Sequence, residues 1–220
     1  MDEVRYLYHG TTELVARRAL NTGLLPRQLH SDNTGQWESF RSNPKMVYLS
    51  ETYAPFYALN AIEDSEEKLG VVEIDLHKLE GFSLYPDEDF LEQATRAMDI
   101  PDNNSSMLDE LRRCKTLKER TSWWRNRLEE FPHLWKNSID ALGTCCHLGP
   151  IPAEAISRIA VYDSSSNLEM TMLMLDPTIT LLNHRVCGNK YSALTGWIFG
   201  EDISVGDLMV APSESRTTEL

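Results

Sequence analysis

The apolar residues of this chain come in short runs that switch repeatedly between strand-like and helix-like spacing, and that switching limits what the chain can fold into. Val4 to Tyr8, Met46 to Ser50, Leu69 to Leu76, Phe82 to Tyr85, Thr144 to His147 and Ile159 to Tyr162 are β-branched or aromatic and too brief for helices, so each is predicted to be a strand. Between them, Glu13 to Asn21 carries Leu14, Val15, Ala19 and Leu20 near one helical face. Thr11 or Thr12 suits its N-cap and Gly23 its stop. Ala54 to Ile62, with Pro55 in its first turn, Phe90 to Met98 and Met107 to Arg127 are predicted helices, and Ala153 to Ser157 a helical turn. Strands and helices do not alternate regularly enough for a doubly wound parallel sheet. The expected class is therefore α+β.

A chain of 220 residues suits one large domain or a domain with an extension. The formal net charge of -13 repels polyanions at long range, which argues against a protein that coats nucleic acid or anionic membrane with its whole surface. Cys114, Cys145, Cys146 and Cys187 include no Cys-x-x-Cys pair, so no metal site of the usual zinc spacing is expected. That sparse cysteine usage reads as a reducing, cytoplasmic compartment. The N-terminus lacks an apolar signal core, and the longest apolar run, Met170 to Leu175, is far too short to span a bilayer, so no membrane association is expected. Arg27 to Lys45 reads as a long polar loop, and long loops are often functional. The Ser-rich stretch from Asp163 to Asn167 marks a boundary. The expected organisation is a domain over 1–163 with a basic helical insertion at about 107–130, an extension over 164–211 packed on it, and a disordered tail over 212–220.

Two motifs carry chemistry. Tyr6-Leu7-Tyr8-His9-Gly10-Thr11 brings a histidine to the expected end of an apolar strand, followed by a glycine where a ligand could approach the backbone. The glycine N–H and C=O suit a carboxamide, and the imidazole suits a ribose hydroxyl. An exposed strand-to-helix turn would account for the same three residues. Val47-Tyr48-Leu49-Ser50 is a strand with a central tyrosine, and Tyr53 and Tyr57 follow on the next predicted helix. Two such phenols can hold a flat cationic ring between them, or can simply belong to the core.

In order and spacing, Tyr8-His9-Gly10-Thr11, Gly23-Leu24-Leu25-Pro26, Val47-Tyr48-Leu49-Ser50, Val71-Val72-Glu73-Ile74-Asp75 and Gly149-Pro150-Ile151-Pro152-Ala153-Glu154-Ala155-Ile156 resemble the ADP-ribosyltransferase superfamily, in its diphtheria-toxin and poly(ADP-ribose)-polymerase-like branch. The resemblance spans roughly residues 5–163. It implies a split, mostly antiparallel sheet with peripheral helices, and NAD as co-substrate with no metal. His9, Gly10, Thr11, Tyr48, Leu49, Ser50 and Tyr57 would form the nicotinamide site. His9 would bond the nicotinamide ribose and the Gly10 backbone the carboxamide, with Tyr48 and Tyr57 stacked on the ring. Nicotinamide would leave through an oxocarbenium-like state that the site must orient and stabilise. The acceptor would be a macromolecule, nucleic acid or protein. Small members of this kind are often toxins or defence effectors, with an inhibitor or antitoxin as a further partner.

One element of the pattern is missing. The family's glutamate would fall near Leu142 to Thr144, where there is no acid, and Asp140 upstream and Glu154 downstream are the nearest carboxylates. Asp140 is the candidate taken forward as catalytic, beside His9 and Tyr48. RNA 2′-phosphotransferases share His-Gly-Thr and lack the glutamate, which keeps that activity open. They normally carry a winged-helix region ahead of the motif, whereas here it begins at Tyr8. Binding of NAD or ADP-ribose without turnover is the third reading.

Arg112 to Arg127 holds seven basic residues and one acid around Trp123 and Trp124. Arg112, Arg113, Trp123 and Trp124 are the candidate acceptor-binding residues, since interleaved cations and aromatics suit stacking on nucleic acid or docking on an acidic protein. A solvated helix with inward tryptophans is the competing explanation. Among Arg17, Arg18, Arg27 and Arg41, Arg27 is the candidate for the NAD diphosphate. In Asp87-Glu88-Asp89, Asp87 or Asp89 is expected to cap the following helix, ahead of a hard-cation site.

Overall fold

The computed structural model describes residues 5–26, 43–51, 53–62, 67–79, 84–91 and 105–162. Six strands form one antiparallel sheet: β1 (Tyr6–Thr12), β2 (Met46–Ser50), β3 (Leu69–Asp75), β4 (Leu84–Pro86), β5 (Thr144–Leu148) and β6 (Ile156–Tyr162), in the order β4-β5-β2-β1-β3-β6. Among the described residues, five α-helices with both ends given accompany them: α1 (Glu13–Thr22), α2 (Ala54–Ala61), α3 (Ser105–Arg113), α4 (Leu117–Arg125) and α5 (Trp135–Leu142). The fold is α+β, as the mixed spacing of the apolar residues implies.

The sheet is two three-stranded halves hinged at one point. β1 pairs with β3 from Tyr6 opposite Asp75 to Thr12 opposite Leu69, and β2 pairs with β5 from Met46 opposite Leu148 to Ser50 opposite Thr144. β1 and β2 share a single register position, Tyr8 opposite Ser50.

Side chains alternate across the pleat, so the register fixes both faces. On one face, Leu7, Leu49, Val72 and Ile74 pack with Ala16 and Ala19 of α1 and Ile139 of α5. Leu7, Leu49 and Ile74 are wholly or almost wholly buried, each contributing about 1.5–3 kcal/mol. The other face is covered twice. Ala54 and Ala58 of α2 sit over Leu69 and Val71, and Leu111, Trp124 and Leu128 sit over Met46 and Cys146.

Thr12 caps α1, its Oγ accepting from Val15 N–H at 3.4 Å, and Gly23 at φ 76° ends the helix. Leu24 then forms a bridge with Ile151, their N–H groups each donating to the other's carbonyl at 2.9 Å. That bridge joins the Gly23–Pro26 and Gly149–Ile156 segments, distant in sequence.

Two expectations are corrected. β1 runs on to Thr12, because Gly10 and Thr11 pair with Val71 and Gly70, so His9 lies within the strand and not at its end. Residues 107–127 are two helices, because Thr116 starts a new one: its Oγ accepts from Glu119 N–H at 3.2 Å and the Glu119 carboxylate returns to Thr116 N–H at 2.9 Å. The segment before Thr144, for which the sequence predicts no element, is helical from Trp135 and closed by Gly143 in the left-handed region at φ 73°. The Phe90–Met98 helix is described only as helical residues 88–91, and the extension over 164–211 and the tail lie outside the described residues.

Candidate functional site

Where β1 and β2 part company, His9 reaches across. Its Nδ1 lies 2.8 Å from the backbone oxygen of Tyr48. A carbonyl only accepts, so Nδ1 carries the proton, and in the neutral ring Nε2 is the acceptor nitrogen. The imidazole is thus fixed at the divergence of the two half-sheets, with its tautomer set by β2. Alternation sends the Tyr48 side chain to the opposite face from that of Leu7 and His9. His9 therefore meets the Tyr48 backbone and not its ring.

The Tyr48 phenol is gripped at its oxygen. It donates to the Glu88 carboxylate, at 2.6 and 2.8 Å to the two oxygens, and accepts from Asn43 N–H at 2.7 Å. Asn43 is itself held: its Nδ2 donates to the carbonyl of Arg125 at 3.1 Å and its Oδ1 accepts from Lys45 N–H at 3.0 Å. Burial and then the neighbouring Glu88 charge push the Tyr48 phenol well up, which keeps it a donor.

Glu88 is buried, as is Asp87 beside it. Asp87 accepts from Asp89 N–H at 2.9 Å and receives Leu91 N–H on its carbonyl, so it caps the turn as the sequence implies. Its own N–H donates to Ser138 Oγ at 3.0 Å. Burial comes first for both carboxyls in holding them above the usual range, followed by the charge of Asp89 at Asp87 and chiefly the charge of Asp87 at Glu88. Tyr57 on α2 lies within electrostatic reach of this turn, and Tyr53 sits beside it, ring centres 6.2 Å apart. Tyr48, Tyr57 and the Asp87–Asp89 turn thus form an aromatic and acidic cluster on one side of the sheet.

A second acidic pair lies just past the other end of β2. Glu51 is half-buried, and its N–H donates to Gly143 O at 3.0 Å. Burial and then the Asp140 charge raise its carboxyl to about 7. Asp140 is exposed on α5 and is brought to Glu51, not to His9 or Tyr48 by any bond among the described residues.

The remaining candidates divide. Gly10 is filled by protein: a Cβ there would lie 1.7 Å from Ala54 O and 2.6 Å from Ala58 N, so its smallness lets α2 pack on β1. Thr11, Leu49 and Ser50 are buried, and Ser50 Oγ accepts from Tyr53 N–H at 3.1 Å ahead of α2. Tyr57 is 39% exposed. Arg27 lies outside the described residues. Arg112 and Arg113 are exposed on α3, Arg112 bonding Asp109 at 3.0 Å. Trp124 is a correction. It is wholly buried, edge-on to Phe131 at 5.6 Å, and cannot serve as a stacking platform. Trp123 is half-buried, with the Arg127 guanidinium 4.4 Å from its ring centre and Glu110 accepting from its indole N–H at 3.2 Å. Glu154 is exposed.

Reasoning from sequence missed Asn43 and Glu51 and gave Glu88 no part in the site. The signal for Asn43 was an Asn-Pro-Lys turn directly before a strand. Among the described residues no group of three His, Cys, Asp or Glu side chains could hold a metal ion, and no helix is long and apolar enough to cross a membrane. Cys114, Cys145 and Cys146 are free thiols. Comparison with protein-family models, with curated proteins and with solved structures finds no match.

Proposed function

We propose that this chain is an NAD-dependent mono-ADP-ribosyltransferase acting on a macromolecular acceptor. The observation that carries the reading is the junction of β1 and β2: one paired position, and beside it the His9 imidazole locked to the Tyr48 carbonyl. A split there opens two half-sheets to a ligand, and an oriented imidazole with an acceptor Nε2 suits a ribose hydroxyl. The Tyr48, Tyr57 and Asp87–Asp89 cluster adds aromatic faces and negative charge. A pyridinium needs both, because a cation over a π-face is stabilised by about 0.5–2 kcal/mol. His9 acts from the gap itself, while the two tyrosines act from one face.

The chemistry asked of the site is bounded. The bond from the ribose carbon to nicotinamide breaks, its electron pair returns to the ring nitrogen, and an acceptor oxygen or nitrogen bonds to that carbon as it loses its proton. Glu51 and Asp140 supply carboxylates in place of the absent strand acid, Asp140 being the one in solvent. The exposed Arg112 and Arg113 offer the acceptor a cationic edge, without Trp124.

The test is incubation with labelled NAD and cell lysate, followed by protease or nuclease. Label that survives protease alone identifies a nucleic-acid acceptor, and label that survives nuclease alone a protein. His9→Ala is expected to lower labelling at least about 100-fold, the loss of an oriented transition-state contact. Equal labelling by wild type and His9→Ala would refute the assignment.

A further inference from the structure

We infer that Glu88 and Asn43 are positioning residues for Tyr48, clamping its phenol oxygen from two sides so that its ring presents one fixed face to a bound ligand. The inference rests on the reading of Tyr48 as part of a dinucleotide site and deepens it.

A tether on the hydroxyl stops the ring of a strand tyrosine from swinging about its Cα–Cβ bond, and because the phenol proton and lone pair prefer the ring plane, two bonds at the oxygen also set how the ring turns about Cβ–Cγ. Here the hydroxyl has both of its roles filled: one proton given to Glu88, at 2.6 and 2.8 Å, and one N–H received from Asn43, at 2.7 Å. At 2.6 Å the shorter contact with Glu88 lies at the tight end of the range for an O–H donor. Both tethers are rigid. Glu88 is buried on the turn that Asp87 caps, and that turn is pinned to α5 through Ser138. Asn43 is pinned to the end of α4 through the Arg125 carbonyl and to β2 through Met46 N–H, 3.1 Å from its own carbonyl. Burying a carboxylate is costly, and an apolar residue would fill the space more cheaply if packing were its only purpose.

A clamp of this kind acts on the transition state more than on binding, because a misoriented ring still contacts the ligand but no longer holds the nicotinamide–ribose bond in the geometry from which it breaks. Steady-state NAD hydrolysis is therefore compared for wild type, Glu88→Gln, Glu88→Ala, Tyr48→Phe and the double variant Tyr48→Phe/Glu88→Ala. Expected is a fall in kcat of about 10-fold or more in Glu88→Ala and in Tyr48→Phe, with KM within about two-fold. Glu88→Gln keeps an acceptor oxygen and should stay within about three-fold of wild type, a rescue that loss of packing alone does not explain. The double variant should lose no more than the worse single one, since both cut the same bond.

Full kcat in Glu88→Ala, or additive losses in the double variant, would overturn the clamp. Should Glu88→Ala fail to fold, Tyr48→Phe decides: wild-type kcat there also overturns it. A wild-type protein that neither binds nor cleaves NAD removes the functional reading and the clamp together. That result is distinct from an active wild type with an equally active Glu88→Ala.

Discussion

Replacing Glu51 with glutamine should make the protein more stable at alkaline pH and leave it unchanged in acid. The Glu51 carboxyl, ordinarily at 4.5, is raised to about 7, first by burial and then by Asp140. The folded chain thus holds this proton more tightly than the unfolded chain does. Below 4.5 both states are protonated and nothing is lost. Between 4.5 and about 7 the folded state binds the extra proton, so stability falls as pH rises, and above about 7 the whole penalty is present. The two values differ by about 300-fold in proton affinity, or about 3 kcal/mol for a fully shielded group. Glu51 is only half-buried, and solvent screening reduces this to about 1.5 kcal/mol. Glutamine keeps the shape and removes the charge. Urea unfolding should show Glu51→Gln stabilised by about 1.5 kcal/mol near pH 8, a midpoint shift of about 0.5–1 M, and by nothing near pH 4. A gain of the same size at both pH values would mean that packing, not charge, governs the position. A loss near pH 8 would mean that the carboxylate has a favourable partner, and would refute the argument outright.

Gly10→Ala should destabilise the protein by about 3 kcal/mol, lowering Tm by about 6–12 °C in a thermal melt, because the new methyl would overlap the backbone of α2 at Ala54 and Ala58. A melt within about a degree of wild type would show that α2 moves aside at little cost. Reversing Arg112, Arg113 and Lys115 to glutamate, all exposed on or just after α3, should abolish labelling of the acceptor while leaving NAD hydrolysis and Tm in place. Unchanged labelling would dispose of that surface as the acceptor edge.

Much of the fold was legible because its signals are local. Met46–Ser50 has matching ends in sequence and structure, and Thr12 and Gly23 bound α1 by the cap chemistry their side chains and backbone allow. The errors have physical sources too. β1 outlasts its apolar run because Gly10 and Thr11 are paired by β3, a long-range partner that no local window contains. The break at Thr116 was in principle readable, since Thr116-x-x-Glu119 is a capping box, but a run of helix-forming lysines and arginines on both sides hid it. In the site, His9 and Tyr48 were legible as residues, yet the form of their contact was not. Alternation along two strands that pair at one position puts their side chains on opposite faces, and only the register reveals that. Glu88 was passed over between two cap candidates, of which Asp87 does cap that turn, and its inward direction depends on a tyrosine 40 positions away.

The acidic turn suggests a property of the site that neither the histidine nor the tyrosines require. Asp87 and Glu88 are buried side by side in a chain whose net charge is already -13. Asp87 opposes ionisation of Glu88 and Asp89 that of Asp87; Asp87 and Glu88 lie near Tyr48, while Asp87 and Asp89 lie near Tyr57. Such an arrangement is unfavourable while it stands alone, and a cation bound between the tyrosines would offset part of that cost. Nicotinamide is a cation only in the oxidised dinucleotide, since the reduced ring is neutral. If the cluster holds that ring, NAD should bind more tightly than NADH by about 0.5–2 kcal/mol, roughly 2- to 30-fold, in calorimetric titration. The preference should shrink in Glu88→Gln above pH 8, where the Glu88 carboxyl, raised to about 8, is ionised and glutamine removes its charge while keeping the bond to Tyr48. Equal affinity for the two dinucleotides, or tighter binding of NADH, would mean that the acidic turn does not face the pyridinium, and the ring would then have to be sought on the His9 side of the sheet.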